Sequence, residues 1–386
     1  MGVSLFSDIS LIIPSYERPT YLLRSLKFWN DYDLEVFVLD GSSVPLPVSL
    51  LEQFNPKIKY FHMPTSFEER ILFGINQVNT KYVALLGDDE YFLPSGLLAC
   101  KGELEVDPHL VSCIGTCVEF SSDGENIFLR ERYTRWLEYG NISFESPVER
   151  LNYYGSNAMS SISYSLIRTE VWKKAAKVIA GNPNGVTFLT EIFLELVVCY
   201  AGKTKVIPNL MWLRSVENQT HWESQETVSI EKWLNDKHFK YEKDGYLNRF
   251  TNVFNVSGLP KYELHGHIES TLQNLVSRSS VLLGVQGLKF NLTRIIRKVY
   301  YLTPSRLLQN RLIRLCIKNF KVLFFKNSLI DRRGLEKGDK FIIPLNVKNN
   351  LQIHPDSQAS ARVFLCSQID LEKFVRSIFN FYKKEC

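Results

Sequence analysis

The chain has 386 residues, 45% hydrophobic and 23% charged, with a formal net charge of +5. This is an ordinary globular composition, and the length predicts two domains or one large domain with an appendage. No run of about 18 apolar residues is present, which excludes an obvious membrane-spanning helix. The first ten residues, MGVSLFSDIS, lack the basic start and apolar stretch of a secretory signal.

The seven cysteines are scattered and odd in number. This usage predicts reduced thiols and a cytoplasmic protein. Cys113 and Cys117 are four residues apart, but no second pair or histidine cluster is near them. We therefore interpret them as buried strand cysteines and not as zinc ligands.

The first ninety residues alternate between apolar runs and segments with helical spacing. The runs at 8–16, 34–43, 57–64 and 81–90 are typical of buried parallel strands. Helices are predicted between them, the first with Pro19 in its first turn and another with Ser66 and Glu69 as a capping box. The alternation predicts an α/β fold with a doubly wound, mostly parallel sheet and helices on both faces.

Three consecutive acids, Asp88, Asp89 and Glu90, end the fourth predicted strand. Like charges this close repel one another, so the triplet predicts either a solvated turn or a cation site. In doubly wound sheets, ligands bind beyond the carboxyl ends of the strands. The segments Pro14-Ser15-Tyr16 and Asp40-Gly41-Ser42 end two other strands, so we expect them at the same edge as the acids.

The rest of the chain is less regular. A hairpin is predicted over 109–133 with its turn at 122–124, and helices at 169–180 and 188–201. After about residue 230 the sequence changes to helices with apolar and basic positions, and 331–386 is not assigned. We predict a catalytic domain over 1–228 and a mostly helical, basic region over 229–386.

Several of these motifs together resemble the family 2 glycosyltransferases with the GT-A fold, over roughly residues 8–225. LIIPSYERP resembles the family's opening strand and nucleotide loop, and VLDGSS its second nucleotide-contacting strand end. LLGDDEYFLP stands where the family has its DxD metal motif. Thr190-Glu191 replaces the family's Glu-Asp pair, Gly202 follows at the usual interval, and HWES (221–224) is similar to the closing His-x-x-Ser.

The resemblance implies a Mn²⁺ or Mg²⁺ ion bridging the diphosphate of a nucleotide-sugar donor. Asp89 is the expected direct ligand, with Asp88 on the ribose or in the metal shell, and His221 as a further ligand. Glu191 is the expected general base, with Glu195, one helical turn on, as the reserve. Residues expected to contact the nucleotide or donor are Pro14, Tyr16, Glu17, Arg18, Asp40, Arg70, Asp88 and Arg214.

Each of these roles has a structural alternative. Glu191 suits the first turn of a helix, where an acid interacts favourably with the helix dipole. Arg214 suits a salt bridge at the core edge, Asp40 a plain strand-end turn, and His221 a surface position. Trp222 is interpreted as a core residue.

The segment from Thr271 to Ile330 has eleven Lys or Arg and no Asp or Glu. Arg311, Arg314, Lys318 and Lys321 share one face of a predicted amphipathic helix. Such a helix lies on an anionic membrane surface at the inner face of the membrane, or packs its apolar face on the catalytic domain. No nucleic-acid-binding motif accompanies the charge, so nucleic acid is not an expected partner.

The sequence therefore predicts a metal-dependent, inverting glycosyltransferase of surface-polysaccharide biosynthesis. Its expected acceptor is a saccharide or a lipid-linked saccharide. A phosphoribosyl-type donor stays open beside a nucleotide sugar. Two other functions also fit the fold: a sugar-phosphate nucleotidyltransferase, which usually has a glycine-rich phosphate loop that IIPSYERPTYL lacks, and a non-catalytic binding protein.

Overall fold

The structure is a computed structural model. It describes residues 5–123, 126–133, 136–157, 161–180, 187–217, 228–254, 260–278, 340–344 and 368–383. His221, Trp222 and the predicted basic helix around Arg311 lie outside these ranges, so their predicted roles stay predictions.

One ten-stranded sheet organises the described residues. Its strands are β1 (Ile9–Ser15), β2 (Glu35–Asp40), β3 (Ile58–His62), β4 (Tyr82–Leu85), β5 (Tyr91–Phe92), β6 (Leu110–Ser122), β7 (Asn126–Arg132), β8 (Leu166–Arg168), β9 (Lys203–Ser215) and β10 (Lys340–Pro344). The order is β10-β7-β6-β8-β4-β1-β2-β3, and β9 pairs with both β6 and β5. Strands β5, β7 and β8 run against the others. The predicted mostly parallel, doubly wound sheet is confirmed.

The helices connect these strands. They are α1 (Pro19–Trp29), α2 (Val48–Leu51), α3 (Phe67–Gln77), α4 (Pro94–Val106), α5 (Trp136–Tyr139), α6 (Pro147–Asn157), α7 (Thr169–Ile179), α8 (Thr187–Ala201), α9 (Ile230–Asn235), α10 (Lys240–Phe254), α11 (261–278) and α12 (Gln368–Lys383). Helix α1 begins at its proline, where a missing N–H costs no helical bond. Helix α3 has the predicted capping box: Ser66 Oγ accepts from the Glu69 amide, and the Glu69 carboxylate accepts from the Ser66 amide.

Alternate strand residues feed two cores on opposite faces of the sheet. On β1, Ile13 belongs to the first core and Ile12 to the second. Helices α1, α4 and α12 cover the first face, whereas α3, α6, α7, α8, α10 and α11 cover the second. Helices on both faces are therefore confirmed, and the strands are buried on both sides.

The last described helix shares the first core with the sheet. Leu371, Phe374 and Ile378 of α12 are buried in the same cluster as the apolar residues of β1 and α1. Strand β10 adds to the sheet beside β7. The division at residue 228 stays a prediction, but these contacts put part of the C-terminal region into the core of the catalytic domain.

Cys113 and Cys117 are buried in β6 as free thiols, as predicted. Within the described residues, no helix is long and apolar enough to cross a membrane.

Candidate functional site

The ends of β1, β2 and β4 meet at one edge of the sheet. Ser15 pairs with Asp40 in the parallel register of β1 and β2, and β4 runs parallel on the other side of β1. Asp88 lies three residues beyond β4, and its carboxylate accepts a hydrogen bond of 2.8 Å from Ser15 Oγ. The acidic turn and the β1 strand end therefore belong to one site.

The acidic triplet is buried. Asp88, Asp89 and Glu90 are 5%, 9% and 8% exposed, so the alternative of a solvated turn is wrong. Arg18 Nη1 lies 3.5 Å from a carboxylate oxygen of Asp88 and 3.6 Å from one of Asp89. Arg18 thus lies beside two neighbouring carboxylates of the triplet.

The burial of the turn changes the acid–base properties of its carboxyl groups. Burial, and then the neighbouring charge of Asp89, raises the pKa of Asp88 to about 7 and that of Glu90 to about 8. Arg18 pulls the pKa of Asp88 down, and Arg214 does the same for Glu90. A further positive charge among these carboxylates would stabilise their ionised forms.

Glu90 points towards β9. Its carboxylate accepts a 2.9 Å bond from Trp212 Nε1 and lies 3.9 Å from Arg214 Nε. Arg214 Nη1 in turn donates to Glu119 at 3.4 Å. The predicted core-edge salt bridge of Arg214 is therefore present, and it lies directly beside the acidic turn. A donor-binding role for Arg214 stays a prediction.

Glu191 is the fifth residue of α8, in its second turn, and lies beside the same site. The Tyr164 ring stacks on that of Trp212, which donates to Glu90, with the ring centres 4.4 Å apart. Tyr164 Oη donates to Glu191 at 3.4 Å. Burial raises the pKa of Glu191 above its ordinary value, against smaller lowering effects from Arg214 and Tyr164. A raised pKa favours proton acceptance near neutrality.

The preceding residue fixes the start of this helix. Thr190 Oγ1 donates a 2.8 Å bond to Glu68 of α3, and both side chains are buried. Because this bond ties α8 to α3, it limits the movement of Glu191 relative to the strand ends. Threonine in place of the family's first acid therefore has a structural role here.

Glu195 does not face the site. Its side chain is 1% exposed, and its carboxylate accepts from Tyr154 Oη at 2.5 Å and from Ser163 N and Oγ at 3.3 Å. Burial raises its pKa to about 7. The bonds and burial assign Glu195 to the core beneath the site, so the reserve assignment of the base to Glu195 is wrong.

Asp40 is held firmly by its neighbours. One carboxylate oxygen accepts from Ser42 N at 2.9 Å and Ser42 Oγ at 2.5 Å, and the other accepts from Tyr60 Oη at 2.5 Å. The residue is 2% exposed. These bonds shape the turn after β2, and nucleotide contact by Asp40 stays a prediction.

Arg70 braces the ends of two strands. Its Nη1 donates to the backbone carbonyls of Ser15 at 2.8 Å and Leu39 at 2.7 Å. Gly41 gives it room, since a Cβ there would lie 2.6 Å from Arg70 Cζ. Arg70 is 5% exposed, so its observed contacts are with the protein, and contact with the nucleotide stays a prediction.

The loop after β1 lies at the open side of this edge. Tyr16 is 46% exposed and Pro14 is partly exposed. Glu17 has a left-handed backbone with φ 55°, and its carboxylate accepts from Ser43 N at 2.8 Å. That backbone bond lowers the pKa of Glu17. Glu17 thus joins the loops after β1 and β2, and donor binding by Pro14, Tyr16 and Glu17 stays a prediction.

The carboxylates of the turn suit a cation that prefers oxygen ligands. The remaining coordination positions of such a cation would be filled by the bound substrate. Among the described residues, no group of three or more metal-ligating side chains is preassembled. Mg²⁺ usually takes one or two carboxylates together with substrate phosphates and water. Asp89 and Asp88 fit that donor set.

Several residues of the site were not predicted from sequence. These are Glu68, Glu119, Tyr164 and Trp212, together with Arg24, whose Nη2 donates to the Asp89 carbonyl at 3.0 Å. Their roles depend on contacts between residues up to 122 positions apart in the chain. Only Arg24 gave a signal in the sequence, because it lies among the apolar positions of the predicted helix α1. An arginine that is buried there needs a partner, since arginine is rarely fully buried without one.

The profile of glycosyl transferase family 2 matches residues 10–173. Among solved structures, Staphylococcus aureus TarS residues 1–349 in complex with UDP-GlcNAc is similar, with a TM-score of 0.50 and 15% identity over 70% of this chain and 73% of that chain. The same protein in complex with UDP gives a TM-score of 0.44 and 13% identity, over 69% of this chain and 70% of that chain.

No curated protein sequence matches the chain. The profile match includes β1, β2, β4 and the acidic turn, which build the site, and the structural similarity agrees on the fold. Residues 10–173 therefore match glycosyl transferase family 2, and the described residues have the GT-A fold.

Proposed function

We propose that the protein transfers a sugar from a nucleotide-sugar donor to a saccharide or lipid-linked saccharide, with inversion and with a divalent cation. The observation that carries the proposal is the convergence of a buried acidic turn and Glu191 at one strand edge. The proposed setting is surface-polysaccharide biosynthesis. A UDP sugar is the first donor to test, because the similar TarS structure is a complex with UDP-GlcNAc.

In the proposed reaction, the acceptor hydroxyl oxygen forms a bond to the anomeric carbon while the bond from that carbon to the donor phosphate breaks. Glu191 takes the hydroxyl proton, and the nucleoside diphosphate leaves with the electron pair. A single base and a direct displacement give inversion. Burial favours Glu191 as the base, since it raises the pKa of this carboxyl towards neutrality.

Asp89 and Asp88 would hold the cation at the diphosphate. When bound, it supplies electrostatic stabilisation of the negative charge that develops on the leaving group. Arg18 lies between the two carboxylates and the open side of the site, where it would contact the phosphates. Guanidinium groups suit this role because their donors match phosphate oxygens in pairs.

The test uses the full chain in a transfer assay with UDP-GlcNAc and other UDP sugars, an acceptor panel and Mn²⁺. Glu191→Gln should lower kcat by about 100-fold to 10,000-fold while UDP binding is retained, because only proton transfer is lost. Asp89→Asn or EDTA should lower transfer by at least about 100-fold, because the leaving diphosphate loses its cation.

The matched controls are Glu170→Gln and Asp31→Asn, which change exposed acids outside the site and should keep wild-type rates. Undiminished transfer by Glu191→Gln would contradict the assignment of the base. Full activity in EDTA would contradict the metal. Binding of UDP sugars without turnover on any acceptor would favour a binding protein on the same fold.

A further inference from the structure

The C-terminal helix α12 packs directly behind the acidic turn. The Phe374 ring lies 5.2 Å from that of Tyr91, which follows Glu90 in the chain. Tyr91 Oη is 3.3 Å from Ser377 Oγ. At the start of the helix, the Asp370 carboxylate accepts from the Ser95 amide at 2.8 Å. Residues that are about 280 positions apart thus meet at the back of the proposed cation site.

A buried polar chain connects this helix to the turn. Tyr382 Oη donates to one carboxylate oxygen of Glu217 at 2.8 Å. Arg24 Nη1 donates to the other oxygen at 2.6 Å, and Arg24 Nη2 donates to the main-chain carbonyl of Asp89 at 3.0 Å. These hydrogen bonds therefore connect Tyr382, through Glu217 and Arg24, to the backbone of the acidic turn.

The ion pair of Arg24 and Glu217, at the centre of this series of hydrogen bonds, is buried. The side chains of Arg24 and Glu217 are 1% and 3% exposed. The Arg24 guanidinium also lies 4.9 Å from the ring centres of Tyr21 and of Phe381, a residue of α12. Burying an ion pair is costly and often adds no net stability, so its presence here calls for another role.

The hydrogen bond from Arg24 to the main-chain carbonyl of Asp89 indicates what the role of the ion pair is. It holds the peptide group between Asp89 and Glu90, and so it restricts the directions of both carboxylates. A guanidinium can bond a carboxylate and a carbonyl at once through separate N–H groups, which a lysine ammonium at the end of a flexible stem does with less geometric control.

We propose that Tyr382, Glu217 and Arg24 are positioning residues for the Asp88–Glu90 turn, so that the C-terminal helix completes the donor site. This rests on the proposed function, because it assigns to the turn the binding of a cation and a nucleoside diphosphate. It extends the site to residue 382, far beyond the family match, which ends at residue 173.

The test compares Tyr382→Phe, which removes one hydroxyl and keeps the ring, with Tyr241→Phe, whose tyrosine is 89% exposed. In Tyr382→Phe we expect the Kd for Mn²⁺ in the presence of UDP, measured by electron paramagnetic resonance, to rise by about 10-fold. We also expect kcat to fall while the acceptor KM is unchanged. Arg24→Lys should weaken Mn²⁺ binding further, and Tyr241→Phe should match the wild type.

A readout without ligand separates this inference from the proposed function. Amide exchange of residues 86–93 should become faster in Tyr382→Phe and stay unchanged in Tyr241→Phe. Wild-type exchange and Mn²⁺ affinity in Tyr382→Phe would overturn the positioning role, even if Arg24→Lys fails to fold. A wild-type chain that transfers no sugar would overturn the proposed function, whereas the exchange experiment would still decide the inference.

Discussion

At the scale of single residues, helix α8 has two carboxyl groups with similar chemistry and different surroundings. Glu191 is partly exposed and has one long hydrogen bond from Tyr164, whereas Glu195, on the same helix, is enclosed by Tyr154 and Ser163. Both pKa values are raised by burial. Access to the site distinguishes a base from a core residue here, and acid–base shifts alone do not.

The pH dependence of transfer should report Glu191. The Tyr164 hydroxyl stabilises the ionised carboxylate and lowers its pKa, so Tyr164→Phe should raise that pKa. Because the base acts when deprotonated, the acidic limb of the kcat profile should move to higher pH. A pH–rate profile of both proteins checks this. An unchanged limb, or one moved to lower pH, would contradict Glu191 as the base.

Glu195 should instead affect stability. Burial raises the pKa of its folded form to about 7 from an ordinary 4.5, so the folded state holds the proton more tightly. Stability should therefore decrease as pH rises from 4.5 to 7 and then level off. Glu195→Gln mimics the protonated form and should remove that loss, which is at most about 3 kcal/mol.

Urea unfolding at pH 5 and pH 8 measures this difference. The wild type should lose more stability between the two pH values than Glu195→Gln does. The control Glu170→Gln, an exposed acid on α7, should keep the wild-type difference. Equal pH dependence in the wild type and Glu195→Gln would contradict a raised pKa at this position.

At the scale of elements, the sheet edge is held by contacts between strand ends and helices. Arg70 of α3 donates to the carbonyls of Ser15, the last residue of β1, and of Leu39, near the end of β2, and Gly41 leaves space for its guanidinium. Gly41→Ala would force the guanidinium away from both carbonyls. We expect it to destabilise the protein by about 1–3 kcal/mol and to weaken UDP binding.

Gly102→Ala is the matched control for this substitution. A Cβ at Gly102 would meet nothing within 4 Å, and the residue lies inside α4. Alanine should therefore stabilise the helix by about 0.5–1 kcal/mol. Thermal or urea unfolding of both variants should show opposite signs, and equal effects would contradict the brace at Gly41.

The strands and helices that the sequence predicted best are those whose bounds are set by residues within or next to the element itself. Apolar runs gave the bounds of β1 to β4 to within a few residues, and Pro19 and Ser66 marked the helix starts. The carboxyl-edge rule then located Asp88, Asp89 and Asp40 together. Other partners of the acidic turn, such as Arg24 and Trp212, could not be predicted, because nothing near them in the chain specifies which distant group they meet.

At the scale of the whole molecule, the N-terminal strands and the last described helix share the first core. Helix α12 follows the region matched by the family by almost 200 residues, yet Phe374 packs against Tyr91 and Phe120 beside the acidic turn. A mostly helical C-terminal region was predicted from composition. That one of its helices belongs to the sheet core required the structure, since an amphipathic pattern shows an apolar face and not what that face contacts.

This shared core makes a distinct prediction for stability. Phe374 is fully buried, so Phe374→Ala should leave a cavity and destabilise the protein by about 3–5 kcal/mol. Since the cavity opens onto the core that also contains Ile13 of β1, native-state amide exchange of residues 9–15 should become faster together with that of α12. Ile369→Ala, at a position 67% exposed on the same helix, is the control and should change neither. Faster exchange confined to α12, with residues 9–15 as slow as in the wild type, would mean that residues 229–386 unfold as an independent domain.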